Sequence, residues 1–351
     1  MTDEHVRFDR QGAWGVVTLA RPKALNSLTR EMCARIDAQL RSWADDDAVA
    51  AVLIEGEGER AFCAGGDIRW LATTARDDPQ EAAGFFRTEY RLNALIARYP
   101  KPYIALMDGI CMGGGVGVSA MAGRRIVTER TIWAMPECGI GMIPDVGASY
   151  VLSRMPGGLG LYLALTGDRL SGEDCLVTGI ATHLVPSGGI GACRDALLGS
   201  DLSGDALAAI DRALKSHEDA NPGGIVGSLK DIDHHFTAPR SLGDLMDDLD
   251  KHGGAFGEGA LEKIRPGSPT SMALTFRLLK EAPATFDDCI RREFCVTAHL
   301  MEGPDFLEGV RAQIIDKDRK PAWQPSRIED VDPARIDWYF TEPAGGPLVL
   351  D

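Results

Sequence analysis

Two carboxylates, Glu137 and Asp145, lie eight residues apart in a segment made mostly of glycine, proline, isoleucine and methionine. Carboxylates are rarely buried without a partner, and an apolar setting makes a lone one costly unless it is hydrogen-bonded or its pKa moves. Two such groups across one short loop can share acid, base or nucleophile work. The alternative interpretation is a pair of solvent-exposed loop carboxylates, and this segment alone does not decide between the two.

Two glycine-rich turns precede this pair. One is the run AFCAGGD at 61–67, which contains Gly66, and the other is DGICMGGGVG at 108–117, which contains Gly114. Glycine lets backbone N–H groups approach a ligand closely, and a helix start favours developing negative charge. The two turns together can therefore aim two N–H groups at one oxygen as an oxyanion hole. Plain turn chemistry is the alternative for either turn alone, and no P-loop or strict GxGxxG motif favours a nucleotide-phosphate site.

The composition narrows the function classes. The 351-residue chain carries a net charge of −15 with a pI near 4.9, which disfavours broad binding to nucleic acid or anionic membranes. Its eight cysteines form no CxxC pair, so we expect reduced, mostly buried thiols and neither a disulfide framework nor a metal site. The first ten residues show no signal or transit pattern, and no apolar run is long enough to span a membrane. We therefore expect a soluble, cytoplasmic protein.

Apolar periodicity predicts an α/β first half and a helical second half. Strands are predicted at 14–19, 49–54, 103–107 and 125–128, helices at 29–43 and 80–98, and a small-residue helix from 113 onward. Later helices are predicted at 205–216, 242–250, 269–281, 285–301 and 305–315, with an irregular connection at 220–239. Ser268 and Pro269 have the types and order of an N-cap and a first helical residue. We divide the chain into a core at 1–186 and a helical region at 187–351.

The motifs in this order resemble the crotonase (enoyl-CoA hydratase/isomerase) superfamily. The resemblance rests on RPKALNSL at 21–28, the two glycine turns, and Pro136-Glu137. Within the superfamily the chain looks like the 3-hydroxyisobutyryl-CoA hydrolase branch, on FFRTEY at 85–90, the loop at 135–147 and the late stretch at 309–323. The resemblance covers nearly the whole chain. It implies an α/β fold, a spiral of β-β-α units, with an α-helical C-terminal region that covers the active site.

The resemblance also implies roles for individual residues. The backbone N–H groups of Gly66 and Gly114 match the pair that binds an acyl-CoA thioester carbonyl, and Glu137 and Asp145 match the positions that act on the acyl group. The matching substrate-contact positions are Glu89, from the preceding helix, and Lys23, Ala24 and Arg69, which face the coenzyme A nucleotide and phosphates. Coenzyme A enters as part of the substrate, no separate cofactor or metal is implied, and a homo-oligomer is possible.

One departure from the family pattern bears on the reaction. Enoyl-CoA hydratases carry a second catalytic glutamate just after the triple glycine, where this chain has Gly117, and a glycine where it has Asp145. We therefore expect hydrolysis of a small 3-hydroxyacyl-CoA, with 3-hydroxyisobutyryl-CoA of valine catabolism as the first choice. Glu137 would attack the thioester or activate water, and Asp145 would orient the hydroxyl group. An enoyl-CoA hydratase or isomerase, or a catalytically silent binding protein on this fold, are the alternatives.

Overall fold

The computed structural model describes residues 5–215 and 224–351. The strands in these residues are, in chain order, β1 Val6–Gln11, β2 Trp14–Leu19, β3 Ala51–Gly56, β4 Ala61–Cys63, β5 Tyr103–Met107, β6 Ile110–Met112, β7 Arg124–Val127, β8 Ile132–Ala134 and β9 His183–Leu184. The helices are α1 Arg30–Ala44, α2 Ile68–Asp77, α3 Pro79–Ala97, α4 Gly114–Gly117, α5 Ala148–Leu152, α6 Leu159–Thr166, α7 Gly172–Val177, α8 Ile190–Leu198, α9 Ala206–Lys215, α10 Leu229–Phe236, α11 Leu242–His252, α12 Gly254–Ile264, α13 Pro269–Lys280, α14 Phe286–Leu300, α15 Pro304–Val310 and α16 Pro333–Tyr339. Short 3-10 turns lie at Pro22–Ala24, Glu137–Ile140, Ser187–Gly189, Gly224–Ser228 and Ile328–Asp330, and a π turn follows α15 at Arg311–Ile315.

Most of the predicted elements are confirmed within a residue or two, among them β2, β5, α1, α3 and α13. Two predictions are wrong. The small-residue helix expected from 113 onward is a single turn, α4, and the region expected to be irregular contains α10. Residues 220–223 of that region, and Ser216 at the end of the predicted helix 205–216, lie outside the described residues.

The chain packs as two compact units. Unit 1 consists of Met1–Gly66, Leu92–Trp133 and Leu170–Val226, and unit 2 of Asp67–Arg91, Ala134–Arg169 and Gly227–Asp351. This division differs from the boundary at residue 186 that we drew from the sequence, which lies inside unit 1. The reason is packing, because β9 pairs with β7 and the apolar side chains of α8 and α9 join the core beneath the sheet.

Unit 1 is built on two sheets. In the larger one the strand order is β1-β2-β3-β5-β7-β9, with β1 and β2 antiparallel and the other neighbours parallel. Every residue of β5 is buried, as expected for a parallel strand covered on both faces. The smaller sheet has the order β4-β6-β8, and β4 runs parallel to β6. Since parallel strands end at the same edge of a sheet, the turns that follow β4 and β6 are neighbours.

Unit 2 is mainly helical, and polar side chains cap the starts of α13 and α14. The Ser268 side chain accepts a hydrogen bond from the Ser271 N–H, with Pro269 in the first turn, which confirms the predicted start of α13. Thr285 caps α14 through the Asp288 N–H in the same way. Among the described residues, we find no helix with the length and apolar character needed to cross a membrane.

Candidate active site

The loop between β8 and α5 holds both carboxylates, and both are buried. Glu137 begins the 3-10 turn Glu137–Ile140, and Asp145 lies three residues before α5. Glu137 is 9% exposed and Asp145 only 5% exposed. These values contradict the alternative of two solvent-exposed loop carboxylates. Two buried carboxylates in an apolar loop are instead an arrangement that perturbs pKa values and supports catalysis.

Asp145 is held by a tyrosine from α3. The Tyr90 hydroxyl donates to Asp145 Oδ2 at 2.5 Å and lies 3.4 Å from Thr297 Oγ1 of α14. Burial raises the pKa of Asp145 to about 6, although the Tyr90 hydrogen bond acts against that rise. Burial, together with the negative charge of Asp145, raises the pKa of Tyr90 well above its usual range, so Tyr90 remains a donor. No role for Tyr90 was predicted from the sequence, because its partner Asp145 lies 55 positions away.

Glu89 and Glu137 complete a group of buried carboxylates. Within the described residues, neither Glu89 Oε1 nor Glu137 Oε2 has a hydrogen-bond partner. Burial, and then the charge of Asp145, raises the pKa of both well above the usual range, and Glu89 adds to the rise at Glu137. Carboxyl groups of this kind can keep a proton near neutral pH and transfer it. An oxygen atom left without a partner in the interior is also free to bind a substrate group.

The two glycine turns lie side by side in unit 1. Leu28 pairs with Gly66, and the Leu28 N–H donates to the Gly65 carbonyl at 2.8 Å, which fixes the first turn. Gly65 has a φ of +110°, and a Cβ built on it would lie 3.8 Å from the Gly114 nitrogen. Gly114 is the first residue of α4, and a backbone N–H group in the first turn of a helix has no acceptor within that helix. This proximity is what an oxyanion hole requires of Gly66 and Gly114, and their role in one stays a prediction.

The predicted coenzyme A contacts lie on exposed segments. Lys23 and Ala24 form the 3-10 turn Pro22–Ala24 of unit 1, and both are exposed. That turn is held by the buried Asn26, whose side chain accepts from the Arg21 N–H at 2.9 Å. Arg69, in unit 2, is exposed at the start of α2 and donates to the Ile314 carbonyl at 2.8 Å. An exposed arginine with one donor engaged keeps further N–H donors for phosphate oxygens.

The other candidate groups do not compete with the carboxylates. Seven of the eight cysteines are buried, and burial raises the pKa of Cys111 and Cys138 to about 12, so these thiols are poor nucleophiles. Over the described ranges, no cluster of three or more His, Cys, Asp or Glu side chains has the arrangement of a metal site.

Comparison with known proteins gives a consistent result. A sequence model described as enoyl-CoA hydratase/isomerase matches residues 14–340. The chain is 43% identical to the mitochondrial 3-hydroxyisobutyryl-CoA hydrolase of Danio rerio over 96% of this chain and 89% of that protein. It is 38% identical to the human protein of the same name over 96% of this chain and 88% of the other.

Two solved structures match nearly the whole chain. One is described as a carnitinyl-CoA dehydratase from Mycobacterium thermoresistibile, with a TM-score of 0.92, 40% identity and 99% coverage of both chains. The other is described as an enoyl-CoA hydratase from Rhodobacter sphaeroides 2.4.1, with a TM-score of 0.89, 37% identity and coverage of 99% and 100%. The crotonase fold implied by the sequence motifs is therefore confirmed.

The same comparison corrects one expectation. We expected a cytoplasmic protein, but the hydrolases of the fish, the frogs, the bird and the mammals that match this chain are all named as mitochondrial proteins. The prediction of a cytoplasmic location is wrong on this finding. The lack of a recognisable transit pattern in the first ten residues was not a sound guide to location.

Proposed function

The chain belongs to the enoyl-CoA hydratase/isomerase family, and from this premise we propose that it hydrolyses the thioester of a small 3-hydroxyacyl-CoA, with 3-hydroxyisobutyryl-CoA as the preferred substrate. The observation that carries the proposal is the buried pair Glu137 and Asp145, with Asp145 held by Tyr90. Position 117, where hydratases carry a second glutamate, is a glycine in the single turn of α4. The names of the relatives with about 40% identity support the same reaction and substrate.

We assign the oxyanion hole to Gly66 and Gly114. Their backbone N–H groups would bind the thioester oxygen as negative charge develops on it, an effect worth about 3 to 4 kcal/mol per donor in other enzymes. The adjacency of the two turns in unit 1 supports this assignment. The exposed Lys23–Ala24 turn and the Arg69 guanidinium would bind the nucleotide and phosphates of coenzyme A. Local positive charge there suits an acidic protein that binds a polyanionic substrate.

We assign bond cleavage to Glu137. In one route its carboxylate attacks the carbonyl carbon, the C–S bond breaks, coenzyme A leaves as the thiol, and water hydrolyses the mixed anhydride. In the other route Glu137 takes a proton from water as the water oxygen attacks the carbonyl carbon. The C–S bond then breaks, and the proton passes from Glu137 to the leaving sulfur of coenzyme A. Asp145 would accept a hydrogen bond from the 3-hydroxyl group of the acyl chain and orient it. The Glu137 oxygen supports either role, since no side chain or backbone group in 5–215 or 224–351 binds it.

Thiol release from 3-hydroxyisobutyryl-CoA tests the reaction, and a panel of related hydroxyacyl-CoA thioesters tests the acyl preference. We expect Glu137→Gln to lower kcat by about a hundredfold to ten-thousandfold, the range for loss of a positioned acid or base. A Glu137→Gln variant with full activity would remove the catalytic assignment. A single turnover in ¹⁸O-water then tests the anhydride route. Label enters the Glu137 carboxylate if water attacks the Glu137 carbonyl carbon of the anhydride, and the general-base route leaves Glu137 unlabelled.

The hydration of an enoyl-CoA is the second candidate, because both of the closely matching solved structures carry hydratase or dehydratase descriptions. The two candidates differ in a direct assay, since a hydratase consumes the double bond of crotonyl-CoA without releasing thiol. Hydration without any thiol release from 3-hydroxyisobutyryl-CoA would replace the hydrolase proposal. Association of several copies of this chain stays a prediction, which the mass of the protein in solution tests.

A further inference from the structure

The backbone directly after Asp145 adopts a conformation that needs support. Val146 has a φ of +57° and Gly147 a φ of +88°, so two consecutive residues lie in the left-handed region. For a β-branched residue such as Val146 this region is strongly disfavoured, at a cost of about 1 to 3 kcal/mol. A Cβ on Gly147 would lie 2.2 Å from the Phe286 ring, so glycine is required there. Other contacts must therefore hold this turn, and with it the direction of the Asp145 side chain.

Glu293 of α14 supplies those contacts. Its side chain is fully buried, and its carboxylate accepts from the Gly147 N–H at 2.7 Å, the Ser149 N–H at 2.8 Å and the Ser149 hydroxyl at 2.5 Å. Both carboxylate oxygens are used, and all three partners are donors. Glu293 thus binds the N–H groups at the start of α5, which has no side-chain cap from its own N-cap residue Gly147. No role for Glu293 was predicted from the sequence.

The same helix supports Asp145 from its other side. Thr297, one turn after Glu293, lies 3.4 Å from the Tyr90 hydroxyl that donates to Asp145. The Phe294 ring packs edge-on against Tyr90 with the centroids 6.2 Å apart. In addition, the Ala148 N–H donates to the Asp145 carbonyl at 2.9 Å, which ties the backbone of Asp145 to the turn that Glu293 binds. Helix α14 therefore contacts both the backbone turn after Asp145 and the partner of its carboxylate.

We propose that Glu293 is a positioning residue for substrate selection, because it fixes the strained turn at Val146 and Gly147 and thereby the Asp145 carboxylate that reads the 3-hydroxyl group. This inference rests on the proposed function. Burial raises the pKa of Glu293 to about 8, while the hydrogen bonds from Ser149 and Gly147 favour the ionised form. The ionised carboxylate accepts from all three donors, whereas a protonated Glu293 keeps both N–H bonds only by donating its O–H to the Ser149 hydroxyl.

The test compares two substrates, 3-hydroxyisobutyryl-CoA and isobutyryl-CoA, which differ only in the hydroxyl group. Glu293→Gln places an amide NH₂ against one of the donors whichever way the amide is turned. We expect kcat/KM for the hydroxylated substrate to fall by about tenfold to a hundredfold, the effect of a small misplacement near the chemistry. For isobutyryl-CoA we expect a change of less than about threefold, because Asp145 has no hydroxyl to bind there.

Asp305→Asn is the matched control. Asp305 is also buried and also accepts from a hydroxyl and a backbone N–H, those of Ser268 and Gln324, at 2.5 and 2.9 Å. Asp305→Asn should lower the free energy of unfolding. It should leave unchanged the ratio of kcat/KM for 3-hydroxyisobutyryl-CoA to kcat/KM for isobutyryl-CoA. In an Asp145→Asn background, Glu293→Gln should no longer change that ratio, because residues that act through one contact are not additive. Ser149→Ala, which removes only one donor, should shift the ratio in the same direction by a smaller factor and serves if Glu293→Gln does not fold.

The outcomes separate this inference from the proposed function. A Glu293→Gln variant that loses activity equally on both substrates, or that shifts the ratio no more than Asp305→Asn, would overturn the positioning role while the hydrolase activity stands. A wild-type protein that releases thiol from neither substrate would overturn the proposed function, and the inference with it. A selective loss on the hydroxylated substrate that disappears in the Asp145→Asn background would confirm it.

Discussion

Asp145→Asn is predicted to stabilise the protein, by an amount that grows as the pH rises. The pKa of Asp145 is raised from 3.8 to about 6 by burial, so the folded protein holds this proton more tightly than the unfolded chain. Ionisation therefore costs folding free energy, and the cost accumulates as the pH rises from 3.8 through about 6. At 1.36 kcal/mol per pH unit, the cost above pH 6 approaches about 3 kcal/mol. The Asn side chain is neutral at every pH, and its oxygen can still accept from the Tyr90 hydroxyl.

The measurement is urea unfolding of both proteins at several pH values. From the same two pKa values, the stability advantage of Asp145→Asn should grow by about 1 kcal/mol between about pH 5 and pH 8. Because the prediction concerns the change with pH, constant effects of the substitution on packing cancel. Hydrolysis of the 3-hydroxyacyl substrate should fall in the same variant. A protein that becomes more stable as it loses activity is the expected signature of a functional site held under electrostatic strain.

Asp168→Asn provides the control for this experiment. Burial alone would raise the pKa of Asp168, but hydrogen bonds from Lys263 and Tyr162 outweigh it and lower the pKa. Asp168 is therefore ionised in both the folded and unfolded states over the whole range, and its removal should cost a constant amount. If the advantage of Asp145→Asn were constant or shrank between about pH 5 and pH 8, Asp145 would not carry the raised pKa on which the reasoning rests.

Three further predictions concern the turns and the thiols. Gly115→Ala should cost about 1 to 3 kcal/mol of unfolding free energy and reduce thiol release, because a Cβ there would lie 2.3 Å from the Cys63 carbonyl oxygen. Gly123→Ala, whose Cβ would meet its nearest neighbour at 3.8 Å, should be nearly neutral in the same urea titration. The Asn26 side-chain NH₂ donates to the Glu57 and Ala61 carbonyls at 3.0 and 2.9 Å. Asn26→Asp removes this donor, so we expect a loss of about 1 to 3 kcal/mol of unfolding free energy for each carbonyl. A variant as stable as the wild type would contradict the structural role of these two hydrogen bonds. Iodoacetamide at neutral pH should react chiefly with Cys295, the one cysteine that is not buried, and thiol-release activity should not change. Rapid loss of activity would instead indicate that a cysteine takes part in catalysis.

Periodicity predicted the longer elements well and the short ones poorly. The strand Tyr103–Met107 and the helix Pro269–Lys280 were placed within one residue, because each has enough apolar positions, or a clear cap, to show a pattern. The three-residue strands β4, β6 and β8 are too short to show a period, and their pairing depends on neighbours distant in sequence. Helix Gly254–Ile264 was missed because its three glycines have low helix propensity, which its packing in unit 2 overrides.

The residues of the candidate active site divide in the same way. Glu137, Asp145 and the two glycine turns were found from the sequence, because their types and order are unusual and match a family pattern. Tyr90 and Glu293 were not, because each acquires its role from a partner 55 or more positions away. A tyrosine or a glutamate on a helix has no local feature that separates an exposed residue from one that supports a loop.

The sequence by itself determined the chemical groups, the local turns and the family to which this chain belongs. Those properties depend on residue types and on short-range geometry, which are written along the chain. Tertiary structure alone decided that Glu89, Glu137 and Asp145 are buried, which oxygens are left unpartnered, and that α14 supports the Asp145 turn. Burial and the proximity of other charges set the pKa of a carboxyl group, and both arise only when distant segments pack together. The sequence left open whether Glu137 and Asp145 are exposed. The tertiary structure shows that they belong to a buried acidic cluster, which Tyr90 and Glu293 support.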